Sequence, residues 1–374
     1  MKRVNRTIIL TSDRMRIGIL TFHDALNVGA VLQAYALQTY IESLGHSVEF
    51  IDYTCRPPFT LKRIIGRTPV NTIMKMKDFV NATIYGTGSG YNKVLNISKK
   101  KYSDNTLSEA NPNYDVFLVG SDQVWNFSRK LSYAYLLGFV DKKKRKVAYA
   151  VSMGQGHVPS RLYDELRQAI SSFNHISCRE DNAVAFINEL AGDGAQAKQC
   201  VDPTLLIPGV SYENISVKPK NRDFVVSYIL NQLDAGQRDE IVRFCDDKKL
   251  PLVNLRNPDT CIRMKSAQNK VVTPYQWLGY MMESGYVVCG SFHATVFALI
   301  FHKQFVVIET EETYAAGGNK RIRSLLRPLG LEYRCICHGD ISAVIEREID
   351  WKDVDTQLES MREESIGFLC DSLA

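Results

Sequence analysis

Short apolar runs alternate along almost the whole chain with helix-length amphipathic segments. Such alternation is the pattern of α/β architecture with mainly parallel sheets. The runs predict strands in the first half at 16–22, 47–53, 115–119, 146–152 and 175–178, with a helix at 30–44. In the second half they predict strands at 223–229, 251–255, 286–289 and 304–308.

A chain of 374 residues is longer than a single hydrophobic core usually supports, so two domains are expected. A new α/β series begins after Pro208, and we set the boundary near residue 210. The predicted units are an amino-terminal extension at 1–15, a first domain at 16–210 and a second domain at 211–374 that ends in a helix. A polar, basic region at about 56–113 interrupts the first domain and is interpreted as an insertion.

The charge balance argues against nucleic acid as a partner. The chain has 46 Lys and Arg residues against 41 Asp and Glu residues, and a net charge of +5 gives no strong global field. The apolar run near the start is too short for a signal-peptide core or a membrane span. The nine cysteines show no paired framework. Together these features favour a reduced, cytoplasmic protein.

Two other polar segments have simple interpretations. Residues 335–338 contain two cysteines and a histidine without the paired spacing of a structural zinc site, so no metal is expected. The basic segment 142–146 is typical of a solvated turn, and contact with anionic lipid or lipid-linked phosphate is the alternative.

The segment 288–301 carries the strongest candidate chemistry. It contains the end of an apolar strand, a polar turn with Ser291 and His293, and then an apolar helix. This layout directs an imidazole, a hydroxyl and helix-start amides at one point, which suits an anionic ligand. Arg321 and Arg323, after a Gly-Gly loop, are expected to add positive charge to the same cleft. A core or capping role is the alternative for His293.

Two strand ends in the first half have similar features. Asn27 and Gly29 permit a turn that brings backbone amides to a phosphate or carboxylate, although the turn is not a GxGxxG sequence. Ser121 and Asp122 follow the predicted strand 115–119, where polar side chains can line a cleft. An ordinary strand-to-helix turn is the alternative for the first pair, and helix capping is the alternative for the second.

Arg179 follows the predicted strand 175–178 and offers a planar fork for a carboxylate or phosphate. An internal ion pair with Glu180 or Asp181 is the alternative. Asp202, which precedes a proline at another strand end, is interpreted as structural.

Six ordered segments resemble the polysaccharide pyruvyl transferase family. They span about residues 16 to 330 and are Gly18-Ile-Leu-Thr-Phe-His23, Asn27-Val-Gly-Ala-Val-Leu-Gln-Ala-Tyr35, Val119-Gly-Ser-Asp-Gln-Val-Trp-Asn126, Ser177-Cys-Arg-Glu180, Val201-Asp-Pro-Thr204 and Gly290-Ser-Phe-His-Ala-Thr295. The resemblance implies two Rossmann-like domains in a GT-B-like arrangement with a cleft between them. It also implies transfer of the enolpyruvyl carbons of phosphoenolpyruvate onto a sugar as a ketal.

The family pattern suggests donor-site roles for His293 and Arg179, and the other candidates come from the strand ends and helix starts described above. His293 matches a donor-site histidine and is expected to act as general acid, and Asp122 is the candidate base or acceptor contact. Ser291 occupies a place where several members carry an arginine. The expected donor-binding residues are Arg179, Ser291, Asn27, Gly29, Ser121 and Arg323. No cofactor or obligatory metal is expected beyond the donor substrate.

The resemblance also suggests partners and a location. The expected acceptor is a sugar or a lipid-linked oligosaccharide of a bacterial capsule or exopolysaccharide pathway. This predicts a cytoplasmic protein, with peripheral contact with the inner membrane face left open. Two alternatives also stay open: a GT-B glycosyltransferase that uses a nucleotide sugar, and a noncatalytic carbohydrate-binding assembly protein.

Overall fold

The described part of the chain defines what can be compared with the sequence. The computed structural model describes residues 14–23, 27–53, 92–127, 133–154, 158–192, 194, 196–256, 264 and 266–374. Residues 1–13 of the predicted extension and residues 56–91 of the predicted insertion therefore lie outside the described residues.

The first sheet has seven strands in the order β3-β2-β1-β4-β5-β6-β7, and all neighbouring pairs are parallel. Its strands are β1 (Arg16–Leu20), β2 (Ser47–Tyr53), β3 (Ile97–Tyr102), β4 (Val116–Val119), β5 (Arg145–Val151), β6 (His175–Cys178) and β7 (Ala197–Gln199). The helices along this part of the chain are α1 (Val28–Ser43), α2 (Tyr163–Ile170) and α3 (Asp181–Ala191). Strand β3 falls inside the predicted insertion, so that part of the segment belongs to the sheet.

The second sheet has six parallel strands in the order β10-β9-β8-β11-β12-β13. Its strands are β8 (Val225–Tyr228), β9 (Leu252–Arg256), β10 (Gln268–Val271), β11 (Tyr286–Cys289), β12 (Gln304–Ile308) and β13 (Cys335–Ile336). The helices are α4 (Gly209–Glu213), α5 (Ala235–Lys248), α6 (Pro274–Glu283), α7 (Phe292–Ile300), α8 (Glu311–Ala315), α9 (Lys320–Leu326), α10 (Ile341–Ile345) and α11 (Trp351–Leu373). The nine strands predicted from the apolar runs all coincide with observed strands.

Both sheets reverse their strand order at a defined point. In the first sheet the chain runs outward from β1 to β3 and returns with β4 on the other side of β1; in the second it runs from β8 to β10 and returns with β11 beside β8. Ligands of open α/β sheets bind at the carboxyl ends of strands beside such a reversal. A ligand site is therefore expected at the loops after β1, β4 and β11.

Helix α11 connects the two halves of the molecule. Near its start, the ring of Trp351 stacks on His302 at 4.6 Å in the second domain. Farther along, Ser365 Oγ accepts a hydrogen bond from the backbone amide of Val201, and Phe368 packs against Tyr149 with a centroid distance of 6.3 Å. The terminal helix predicted from the apolar spacing is thus present, and its second half lies on the first sheet.

Candidate active site

The amino-terminal ends of α1 and α7 are fixed by side-chain caps. Asn27 Oδ1 accepts a hydrogen bond from the amide of Gly29 at 2.9 Å, and Ser291 Oγ accepts one from the amide of Ala294 at 3.2 Å. Such caps satisfy helix-start amides that would otherwise lack partners. Asn27 and Ser291 are therefore both placed at helix starts, as the sequence predicted, with capping as their observed contact.

His293 reaches from the second domain to the first and lies against Gly29 of α1. A Cβ atom on Gly29 would lie 2.1 Å from Nδ1, 2.5 Å from Cγ and 2.7 Å from Cε1 of the His293 ring. The similar distances to three ring atoms mean that Gly29 approaches the face of the imidazole near Nδ1. Only a residue without a side chain fits here, because real Cβ contacts under 3.0 Å are essentially never seen.

Asp202, whose side chain is fully buried, lies at the centre of a cluster that also contains Ser121, Asp122, Arg179 and His293, called the Asp202 cluster below. Its Oδ2 lies 2.7 Å from Arg179 Nη1 and 3.6 Å from His293 Nε2, and the second distance is an ion-pair contact too long for a hydrogen bond. Ser121 Oγ donates to the same oxygen at 3.3 Å, and the amide of Thr204 donates to Oδ1 at 3.0 Å. Burial alone would raise the pKa of Asp202, but the His293 and Arg179 charges outweigh it and hold that pKa below its usual range.

Arg179 is enclosed by carboxylates, and its side chain is only 1% exposed. Beyond the contact with Asp202, its Nη2 lies 3.4 Å from Asp122 Oδ1 and its Nε lies 3.5 Å from Glu180 Oε1. Its Cζ lies 4.2 Å from the centroid of the Phe292 ring, which belongs to the second domain. The internal ion pair with Glu180 is therefore present.

Ser121 and Asp122 join this cluster from the end of β4. Ser121 Oγ donates to the carbonyl of Ala150 at 2.7 Å as well as to Asp202. Asp122 has a φ of 64°, in the left-handed region, and its carbonyl accepts the amide of Ser152 at 2.9 Å. This unusual backbone turn directs the Asp122 carboxylate at the guanidinium of Arg179.

The pKa of Glu180 is shifted in the opposite direction to that of Asp202, although both carboxylates face Arg179. Burial raises the pKa of Glu180, and the Arg179 charge and the hydrogen bond from Ser152 offset burial only in part. Among the described residues, its Oε2 has no hydrogen-bond partner.

Arg323 lies in a different part of the interface from the Asp202 cluster. Its Nη2 lies 2.7 Å from Glu309 Oε2, and this carboxylate raises the pKa of the guanidinium. It lines a cavity of about 480 Å³ between α3 and α9, together with Asp181, Lys320 and Arg327. The structure thus brings His293, Asp122, Arg179, Ser121 and Gly29 together, and places Arg323 at this neighbouring cavity.

Sequence reasoning interpreted Asp202 as structural and did not predict its contacts with both Arg179 and His293. It also missed Phe292, whose ring covers Arg179. Placement after β7, at the carboxyl end of the same sheet as Arg179 and Asp122, is the signal that could have found Asp202.

A cavity of about 590 Å³ lies in the second domain between α5 and α10, lined by residues such as Gln237 and His338, and contains none of the Asp202 cluster. In the described ranges, no group of three or more His, Cys, Asp or Glu side chains is arranged to hold a metal ion. Among the described helices, none has both the length and the apolar character needed to cross a bilayer.

One solved structure with a TM-score of 0.50 supports the fold, and others resemble the chain at lower scores. UDP-GlcNAc 2-epimerase from Neisseria meningitidis matches with a TM-score of 0.50 at 10% identity, covering 96% of this chain and 99% of that chain. A putative UDP-N-acetylglucosamine 2-epimerase from Listeria monocytogenes matches with a TM-score of 0.49 at 11% identity, covering 94% and 91%. The glycosyltransferase SnogD from Streptomyces nogalater matches with a TM-score of 0.44 at 12% identity, covering 94% and 95%. The chain has two Rossmann-like domains in a GT-B-like arrangement, as expected.

Sequence comparison gives the family. No curated protein sequence matches the chain significantly. The profile described as polysaccharide pyruvyl transferase matches residues 27–312, a range that contains Gly29, Asp122, Arg179 and His293. Since this match covers most of the chain, the protein belongs to the polysaccharide pyruvyl transferase family.

Proposed function

We propose that the protein transfers pyruvate from phosphoenolpyruvate to two hydroxyls of one sugar and so forms a ketal. The observation that supports this most is the contact between His293 and Asp202 across the domain cleft, in a chain of this family. A histidine beside a buried carboxylate can hold a proton and deliver it to a substrate. Side-chain groups can supply this reaction without a metal or a redox cofactor.

The donor binds where the starts of α1 and α7 meet around His293. Helix starts carry partial positive charge, which favours the carboxylate and phosphate of phosphoenolpyruvate. Asn27 and Ser291 hold these two starts in place, and Gly29 leaves room for the His293 ring against α1. Ser121 borders the site from the first sheet.

Two arginines contribute positive charge to donor binding in different ways. Arg179 lies at the base of the site and offsets the three carboxylates around it. Arg323 lies at the neighbouring cavity, where it favours an anionic group that enters between the domains.

The protons and bonds of the proposed reaction balance with the groups present at the site. His293 gives a proton to the methylene carbon of phosphoenolpyruvate, which becomes a methyl group, and C2 becomes an oxocarbenium-like electrophile. One sugar hydroxyl adds to C2, the C2–O bond to phosphate breaks, and the second hydroxyl adds to complete the ketal. Of the two hydroxyl protons, one restores His293 and the other is taken by Asp122 and leaves with inorganic phosphate.

The acceptor is a sugar or a lipid-linked oligosaccharide of a bacterial capsule or exopolysaccharide pathway. This reaction would take place in the cytoplasm, where phosphoenolpyruvate is made, or at the inner membrane face if the acceptor carries a lipid. The family match supports a glycan acceptor and leaves the particular sugar to be measured.

The test incubates the protein with phosphoenolpyruvate and a panel of candidate glycans. We expect phosphate release matched by the mass increase of a pyruvate ketal on the glycan. His293→Gln should lower turnover by about 100-fold or more, the usual size of a general-acid contribution. His302→Gln is the matched control, since His302 is an exposed histidine paired with Asp355 and should leave turnover unchanged. Glycosyl transfer from a nucleotide sugar without pyruvylation would refute the proposal.

A further inference from the structure

The geometry points to Asp202 as a positioning residue that holds Nε2 of His293 and leaves Nδ1 to deliver the proton. It also implies that Arg179 helps to hold the Asp202 carboxylate in register with His293. This inference rests on the proposed function, because it assigns the parts of the same site.

The His293 ring is oriented so that its two nitrogens have different surroundings. Nε2 faces Asp202 Oδ2 at 3.6 Å, and Gly29 covers one face of the ring near Nδ1. With one nitrogen directed at Asp202 and one face covered, the outer edge at Nδ1 is the route to the donor. Catalytic hydrogen bonds in ligand-free enzymes are often long and shorten in the substrate complex, so a 3.6 Å separation is compatible with Nε2–H pointing to Asp202.

Asp202 is suited to this task because it is fixed and charged. Its Oδ1 accepts hydrogen bonds from the amide and the hydroxyl of Thr204, at 3.0 and 2.7 Å, so the carboxylate cannot rotate freely. The charged groups around it, His293 and Arg179, together lower its pKa despite complete burial. A fixed carboxylate facing Nε2 holds the orientation of the imidazole ring and leaves Nδ1 for the donor.

Arg179 is held in place by contacts on each of its nitrogens and on one face. Its three nitrogens point to Asp202, Asp122 and Glu180, and the Phe292 ring covers the guanidinium plane at 4.2 Å. Removal of the guanidinium would leave these buried carboxylates unpaired, which is costly. Holding Asp202 in register with His293 requires no rearrangement.

The proton path follows from this assignment. In the first step the N–H bond at Nδ1 breaks and a C–H bond forms at the methylene carbon of the donor. His293 becomes neutral, and its Nε2–H stays directed at Asp202. A proton released by a sugar hydroxyl then restores Nδ1–H, so that Asp202 and Arg179 keep their charges throughout.

Steady-state kinetics separate the two roles. Asp202→Asn should lower kcat by about 100-fold with little change in the KM for phosphoenolpyruvate. Arg179→Lys should also lower kcat without raising this KM, and the double variant should be no slower than Asp202→Asn alone, because both residues act through one contact. A rise in KM with unchanged kcat for Arg179→Lys would mean that Arg179 does not act through Asp202 and would overturn its positioning role. Asp355→Asn, which removes the carboxylate from the exposed pair with His302, is the matched control and should change neither parameter.

Nitrogen NMR on substrate-free protein tests the same contact without reference to the reaction. The Nε2 resonance of His293, assigned with His293→Gln, should move in Asp202→Asn and stay in place in Asp355→Asn. An unmoved resonance would overturn the positioning role even if pyruvylation is observed, and a moved one supports it even if another donor is used.

If circular dichroism shows that Asp202→Asn does not fold, Nδ-methylhistidine at position 293 tests the same assignment. It blocks the donating nitrogen and leaves Asp202 and Arg179 in place. Loss of turnover is expected, and retained turnover would overturn the role of Nδ1.

Discussion

Gly29 of α1 and His293 of α7 are in contact across the cleft, and a Cβ atom on Gly29 would lie 2.1 Å from the imidazole Nδ1. Gly29 lies inside a helix, where alanine is otherwise favourable, so Gly29→Ala should act through the displaced imidazole. We expect kcat to fall by about 100-fold, the cost of a misplacement of about 1 Å. Steady-state kinetics of phosphate release measure this change.

The control for this prediction is Gly367→Ala. Gly367 lies in α11, and a Cβ atom there would meet nothing within 4 Å. This change should leave kcat unaltered and raise the free energy of unfolding by about 0.5–1 kcal/mol. If Gly29→Ala behaves in the same way, the contact with His293 has no catalytic importance.

Phe292→Leu should weaken the interface between the domains. The substitution keeps an apolar side chain but removes the ring on which the buried guanidinium of Arg179 stacks. We expect a loss of about 2 kcal/mol in the free energy of unfolding, since desolvated cation–π contacts reach this size. Tyr314→Leu removes the exposed stack on Arg323 and should cost no more than about 1 kcal/mol. Equal losses in urea titrations of the two variants would contradict the prediction.

Asp202 and Glu180 should give stability profiles of opposite pH dependence. The pKa of Asp202 is lowered in the folded state, so its contribution is present above its unfolded pKa of about 3.9 and is lost as pH falls through the folded pKa. Asp202→Asn should therefore destabilise the protein at pH 7, by about 3–5 kcal/mol for a broken buried pair, and by less in acid.

The pKa of Glu180 is raised in the folded state, so its contribution is present below its unfolded pKa of about 4.3 and is lost as pH rises through the folded pKa. Glu180→Gln should thus become more favourable, relative to the unsubstituted protein, as pH rises. Urea denaturation between pH 3 and pH 8 measures both profiles. The same direction of change for the two variants would show that the two carboxylates are not distinguished as inferred.

Arg323→Gln tests whether the cavity between α3 and α9 helps to hold the donor. We expect the KM for phosphoenolpyruvate to rise by about tenfold with a smaller change in kcat, because a binding cation is lost. Arg243→Gln, which breaks an ion pair with Glu240 on the second domain, should leave KM unchanged. A lower free energy of unfolding without a rise in KM would show that Arg323 only neutralises Glu309.

The buried centre of each sheet was predictable because its strands are apolar, whereas the edges were not. Strands β3, β10 and β13 all lie at sheet edges. In β3, Lys99, Lys100 and Lys101 are exposed. Such a composition protects an edge strand from pairing with another chain, but it leaves no apolar run by which the sequence could predict the strand. Strand β13 has only two residues, too few for any periodic signal.

The sequence predicted which strand ends carry the residues of the site, but not which of these residues contact each other. Placement of Arg179, Asp122 and His293 after strands follows from local sequence pattern. The contact of Asp202 with His293 depends on how two domains approach each other, and no local pattern carries that information. Ser291 and Asn27 were correctly placed at helix starts, and only the coordinates show that both act as caps.

Helix α11 makes the first folding unit discontinuous in sequence. Arg362 Nε donates to the carbonyl of Leu205 at 2.7 Å, and Leu373 is buried in the same apolar cluster as Val31 of α1. A fragment cut after residue 210 would therefore lack the last turns of its own core, and an exchange of halves between relatives would need to carry residues 351–374 with the first half. Truncation of the carboxyl terminus should first disturb the position of Asp202, because the amide of its neighbour Val201 donates a hydrogen bond to Ser365 of α11. The second domain, to which the tail is connected, should be affected later.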